Sequence, residues 1–222
     1  MGIWRGQYDG NPYVGLYAKV SDKLCIIPRG APDKFTKGAS ALDVPLLRTS
    51  VDGSPYVGLY MAMNSNGIIA PAFSSKDERA ELDAAGLNTA TLRDSRFSAL
   101  GNNVACNDRG ALVNPDMHHE DVLLIEQILG VPVKQGAVAG YHTPGSCLVV
   151  TNKGWLAHNR ITEEEAGMLE ELFGVPGTNG TTNMGSAFVG IGAVANSKGA
   201  IVGESSSGFE ESRITEALDL VG

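Results

Sequence analysis

The stretch "PYVGLY" at residues 12–17 returns unchanged at residues 55–60. Its central glycines, Gly15 and Gly58, serve as anchors for reading the rest of the chain. Steps of 43, 43, 44 and 45 residues lead from Gly15 to Gly58, to Gly101 in "SALGNN", to Gly145 in "TPGSC" and to Gly190 in "FVGIG". Nine residues after four of these anchors stands a further glycine: Gly67, Gly110, Gly154 and Gly199. The first unit carries Leu24 there instead. Five units of about 44 residues fill the 222-residue chain, which is the signature of a repeat architecture.

Each unit reads alike. A short apolar run follows the anchor ("LYAKV", "LYMAM", "IGAVA"), then a turn ("NSNG", "NDRG", "TNKG", "NSKG"), then a second apolar run ("IIAP", "ALVNP", "WLAHN", "AIVG"). Asn, Ser and Asp open such turns and Gly closes them, so each unit is predicted to begin with a β-hairpin. A helix follows. Ser75/Glu78, Thr162/Glu165 and Ser207/Glu210 have capping-box spacing. Leu124/Ile125 and Ile128/Leu129 draw one apolar stripe, repeated 44 residues on by Met168/Leu169 and Leu172/Phe173. Gly86, Gly130 and Gly174 are expected to close three helices. The first unit's helix is weakly written, within 31–42. After the helix an extended run begins, as at Val131-Pro132 and Val175-Pro176.

The fifth unit lacks that last strand. The N-terminal segment "GIWRGQY" has no other place in the scheme, so residues 2–8 are expected to supply the strand and close a ring. Closure removes exposed sheet edges. A 44-residue unit cannot bury both faces alone, so the expectation is one domain over residues 1–222. The fold class is α/β: a closed, fivefold pseudosymmetric β/α-propeller. That architecture resembles the pentein superfamily, some of whose members modify guanidino groups with a Cys nucleophile, a His and acidic partners.

The residues argue against such chemistry here. Cys25, Cys106 and Cys147 lie ten, five and two residues after their anchors, in unrelated places, and the last unit has no cysteine. They read as small buried hydrophobes in a reducing compartment, without a disulfide framework. His118 and His119 are adjacent at a helix start, His142 is in a loop and His158 at a strand exit, with no metal-ligand spacing among them. No catalytic residue, metal or cofactor is expected. The net charge of −8 speaks against a phosphate-dominated nucleic-acid grip and favours basic protein surfaces. The N-terminus shows no apolar core of a signal peptide and no stretch approaches 18 apolar residues, so the expected location is the cytoplasm.

The third unit carries the most distinctive stretch, "RFSALGNNVACNDRGALVNPDM" at 96–117. It resembles the signature of the translation initiation factor 6 family of archaea and eukaryotes. "GSCLVVTNKGWLAH" at 145–158 and "TTNMGSAFVGIGAVAN" at 181–196 are similar to that family's fourth and fifth repeats, and the short C-terminus resembles the archaeal form. The resemblance implies a monomeric, non-enzymatic factor. It would bind the large ribosomal subunit on its intersubunit face, beside the sarcin–ricin loop and neighbouring ribosomal proteins. It would block joining of the small subunit and take part in large-subunit maturation, without DNA or membrane partners. The alternative from the fold alone is a guanidino-modifying enzyme. The resemblance also places the subunit contacts near the anchors, at Asn102 with Asn103 beside it. Leu16, Ser54, Leu59 and Phe188, each within four residues of its own anchor, extend this set.

Overall fold

The computed structural model describes residues 2–93 and 95–220. It is a mixed α/β structure with five separate three-stranded sheets, one per unit. In the first unit the strands are Lys19–Val20, Cys25–Pro28 and Leu46–Thr49. The first pair is antiparallel, as a tight turn dictates; the second is parallel, with helix Asp33–Ala39 as its crossover. The second, third and fourth units repeat this plan around strands Gly67–Pro71, Ala111–Val113 and Trp155–His158.

The fifth unit takes its outer strand from the other end of the chain. Gly2–Gly6 pairs in parallel with Gly199–Gly203, in register from Gly2↔Gly199 to Gly6↔Gly203. The strand is shorter than the expected 2–8, because the backbone turns away into a tight bridge between Tyr8 and Asn11. The first unit's helix lies inside 31–42 and runs on into the 3-10 turn Ser40–Leu42.

The three capping boxes form as their spacing predicts. Gly130 and Gly174 close their helices in the left-handed conformation. Gly86 does not close one directly: its helix, Lys76–Asp83, ends first and the chain passes through Ala84 and Ala85.

The anchors depart from the hairpin reading. They stand in single helical turns: Val14–Leu16, Val57–Tyr60, Leu100–Asn103, Pro144–Cys147 and Val189–Gly192. Each turn touches the next, and the fifth touches the first. Glycine is required at the contacts. A methyl group built on Gly101 would overlap the carbonyl oxygen of Gly58, and one on Gly15 would overlap that of Gly190. The second set of glycines does the same one layer out, where a methyl on Gly199 would overlap the Ala41 carbonyl. Leu24, the exception, instead shares a buried cluster with Leu82 of helix Lys76–Asp83.

The apolar core is divided among five clusters, each spanning two neighbouring units. One joins Leu24 and Ile26 to Met63 and Ile68; another joins Val194 and Ile201 to Val14 and Phe35. No unit holds a core of its own, so units fold against each other or not at all. Asparagines in the hairpin turns reinforce the junctions. The Asn64 amide donates to the carbonyls of Asn107 (3.1 Å) and Leu129 (2.9 Å) in the next unit. Asn107 does the same toward Thr151 and Phe173, and Asn196 toward Ser21 and Leu42.

Candidate interaction surface

The units surround a cavity of about 50 Å³, lined by residues of all five. Gly15, Gly145 and Gly190 border it at one end. At the other it adjoins a narrower pocket of about 20 Å³ among the hairpin turns, lined by Asp22, Asn107, Asp108 and Asn152. There the Asn152 amide donates to Asp108 of the neighbouring third unit (2.6 Å) and to Asp22 of the first unit (2.8 Å), which is not a neighbour. The anchors and the hairpin turns therefore mark opposite rims.

The anchor rim carries every residue singled out for partner contact. Leu16, Leu59 and Asn102 occupy equivalent positions, one past the anchor glycine, and all three are partly exposed. Asn102 differs from its counterparts in chemistry. Its carboxamide makes no hydrogen bond among the described residues, whereas Ser146, the counterpart in the fourth unit, is buried and donates to the Thr143 carbonyl. Asn103 is placed differently: it is buried, donating to the Ala99 carbonyl (2.8 Å) and accepting from Asn114 (2.8 Å). Its groups are committed inside the unit, so of the pair only Asn102 offers both a donor and an acceptor outward. Ser54 ends a tight turn with Val51, and Phe188 packs edge-on against Tyr141 at 4.9 Å.

Other rim residues went unmarked by sequence reasoning. Tyr13 and Tyr56 are the counterparts of Phe188, two residues before their anchors, and Tyr56 is exposed. Tyr141 and Met184 are exposed in the turns that lead to the fourth and fifth anchors. The signal was present in the opening hexapeptide itself, whose tyrosine flanks Val-Gly in both copies. Aromatic side chains and methionine suit a protein interface, since they bury much area for little lost entropy.

The capping-box glutamates hold this rim in shape. Glu78 accepts from the backbone of Asp52 and Gly53 (2.9 Å each), from the Ser50 hydroxyl (2.7 Å) and from Ser75 N (2.7 Å). Glu210 likewise accepts from Met184, Gly185, Thr181 and Ser207, and Glu165 from Ala139. The turns so pinned have residues at positive φ, including Asp52 and Met184, and need outside hydrogen bonds to stay there. Burial alone would raise the Glu78 pKa, but the hydrogen bonds outweigh it and bring the carboxyl from 4.5 down to about 2.

The unfolded chain therefore protonates this group near pH 4.5 and the folded chain only near pH 2. Stability owed to Glu78 is complete above pH 4.5 and drains away as the pH falls from there to 2. The depression corresponds to on the order of 3 kcal/mol. Glu78→Gln is expected to lose about 2–3 kcal/mol at neutral pH and to flatten the acid limb of stability. Urea unfolding at several pH values checks this; a variant as acid-sensitive as the parent would contradict it.

The thiols are poorly placed for nucleophilic work. Burial pushes Cys25 up to about 12 and both Cys106 and Cys147 to about 11, so thiolate is scarce at neutral pH. Cys106 lines the axial cavity, and no histidine does. His158 is buried against Tyr141 and Phe188, with its Nδ1 accepting from Arg160 N. Among the described residues, no group of three His, Cys, Asp or Glu side chains is placed to hold a metal ion, and no helix is long and apolar enough to cross a membrane.

Residues 3–217 match the model of the eIF-6 family. The chain belongs to that family. It is 35% identical to Translation initiation factor 6 of Pyrococcus abyssi and 37% identical to that of Pyrococcus horikoshii, each over the full length of both proteins. It is 39% identical to Translation initiation factor 6 of Methanosarcina mazei, over 92% of this chain and 93% of that protein. The eIF-6 match takes in all five units and the N-terminal strand, apart from its first residue, so membership concerns the whole repeat architecture.

Proposed function

We propose that this chain is a cytoplasmic initiation factor that binds the intersubunit face of the large ribosomal subunit and sterically prevents premature joining of the small one. A part in large-subunit maturation, with later release, goes with that role. The carrying observation is full-length membership of the eIF-6 family. We infer a single closed five-bladed pentein domain, acting as a monomer. Such a body blocks by bulk: units that share every core cluster cannot deform independently, so a second subunit meets a rigid obstacle. The net charge of −8 fits docking mainly on basic ribosomal proteins beside the sarcin–ricin loop, with little direct grip on phosphates.

The docking surface we assign is the anchor rim, centred on Asn102 and flanked by Leu16, Ser54, Leu59, Phe188 and the exposed aromatics. A guanidino-modifying enzyme would need a Cys, a His and carboxylates meeting at a substrate-sized site. The axial lining offers a protonated thiol and room for only a few water-sized groups.

Asn102→Arg is expected to weaken co-sedimentation with purified large subunits by roughly tenfold to a hundredfold, or about 1–3 kcal/mol. The melting temperature should hardly move, because the Asn102 carboxamide has no internal partner to lose. Lys153→Ala, in a hairpin turn of the opposite rim, should bind like the parent. The reverse pattern would mean that the ring docks by its other face.

A further inference from the structure

The axial cavity presents one charged side chain, that of Lys19. Lys19 stands four residues after its anchor, where the other units carry Ala62, Ala105, Val149 and Val194. Those four are buried. Packing at this position therefore calls for a small apolar side chain, and lysine needs another reason to be there. Among the described residues nothing makes a hydrogen bond or ion pair with its ammonium. Cys106 lies near it, but its thiol donates to the Met63 carbonyl (3.1 Å) and stays protonated, so it supplies no counter-charge. The axial carboxylates are engaged elsewhere. Asp22 accepts from Ser197 N, from the Ser197 hydroxyl and from Asn152 (2.8 Å each); Asp108 accepts from Ser65 N (2.7 Å) and Asn152 (2.6 Å). Burial pulls the Lys19 pKa below its ordinary value. Lys19 itself is only half-buried, and an ammonium so placed gives up its proton, keeps water around it or holds a counter-ion.

We propose that the axial cavity is a binding site for a small inorganic anion of halide size, held on the Lys19 ammonium. A cavity of about 50 Å³ admits such an ion with a water or two. It is too small for a nucleotide. The anion neutralises a charge at the point where all five units meet, so it binds the folded ring and not the unfolded chain. Binding of that kind stabilises by mass action.

The test is thermal unfolding of the full chain in sodium chloride and in sodium gluconate at equal ionic strength, for the parent and for Lys19→Met. Gluconate is too large to enter. Chloride should raise the parent's Tm above the gluconate value by on the order of a few degrees, and the gain should saturate. The chloride-specific gain should vanish in Lys19→Met. Coincident curves for the parent would overturn the proposal, as would an undiminished gain in Lys19→Met. If Lys19→Met does not fold, parent crystals grown in sodium bromide decide. A bromine anomalous peak beside the Lys19 Nζ supports the site, and a cavity without one overturns it.

Discussion

Gly101→Ala is expected to leave little or no folded protein at 37 °C. The added methyl would overlap the Gly58 carbonyl oxygen and crowd that of Leu59. These are backbone atoms of the neighbouring anchor turn, which cannot swing aside as a flexible side chain would. Relief requires the two turns to separate. Each anchor turn is held between two neighbours, so separation at one contact is resisted by the rest of the cycle. Overpacking in a well-packed interior costs about 1–3 kcal/mol where side chains can yield, and more where backbone must move. A loss above about 4 kcal/mol would consume much of a typical domain's stability. The measurement is urea unfolding of the variant, with circular dichroism as the probe. The same methyl at Gly167, on the helix Glu163–Phe173, meets nothing and provides the control. Gly167→Ala should be as stable as the parent or slightly more so, because alanine favours helix. A Gly101→Ala protein that melts like the parent would remove the basis for reading the anchors as a tight inner ring.

Removal of residues 2–6 is expected to be as severe. The strand makes the full parallel ladder with Gly199–Gly203, and its Gly6 carbonyl accepts from Glu204 N (2.7 Å). The Arg5 side chain donates to the Ser206 carbonyl (3.1 Å). Trp4 packs edge-on against Phe35 at 6.0 Å and lies over Gly38 of the first unit's helix. Loss of a fully buried tryptophan costs about 3–5 kcal/mol, and the partly buried Trp4 should give up a good share of that before the exposed ladder is counted. The uncovered edge of Gly199–Gly203 would be a flat, apolar template for pairing with another chain. The truncated protein should aggregate, and what remains soluble should melt well below the parent. Trp4→Ala in the intact chain separates packing from pairing: it should destabilise without exposing the edge. A truncated chain with parental melting and solubility would show that the terminal strand is dispensable to the ring.

The repeat was legible because its glycines answer to backbone contacts that recur in every unit. A carbonyl of the next unit fixes the position of Gly67, Gly110, Gly154 and Gly199 as firmly as a turn would, and the interval survives changes elsewhere. Capping boxes were legible because the bonds lie within four residues. The helical character of the anchors was not. A turn of three or four residues shows no periodicity, and "YVGLY" reads equally well as strand. The second task of Glu78, Glu165 and Glu210 was hidden for another reason. Each pins a turn some 25 residues earlier in the chain, and only the folded unit brings the two together. Asn64, Asn107 and Asn196 were read as turn residues, which they are, yet their amides reach a different unit. The candidate surface was half legible. Proximity to the anchors gave the rim, while the contrast between outward Asn102 and inward Asn103 depends on a bond to Asn114 that no spacing predicts.

The central claim is that one rigid ring, seated by its anchor rim, keeps the two ribosomal subunits apart. Subunit joining measures this directly. Purified large subunits are incubated with increasing amounts of the protein, small subunits are added, and light scattering or gradient sedimentation reports the joined ribosome. The account predicts that joining falls in step with occupancy of the large subunit, and that Asn102→Arg shifts the curve to higher concentration by the factor seen in binding. Undiminished joining by large subunits that carry the protein would contradict it.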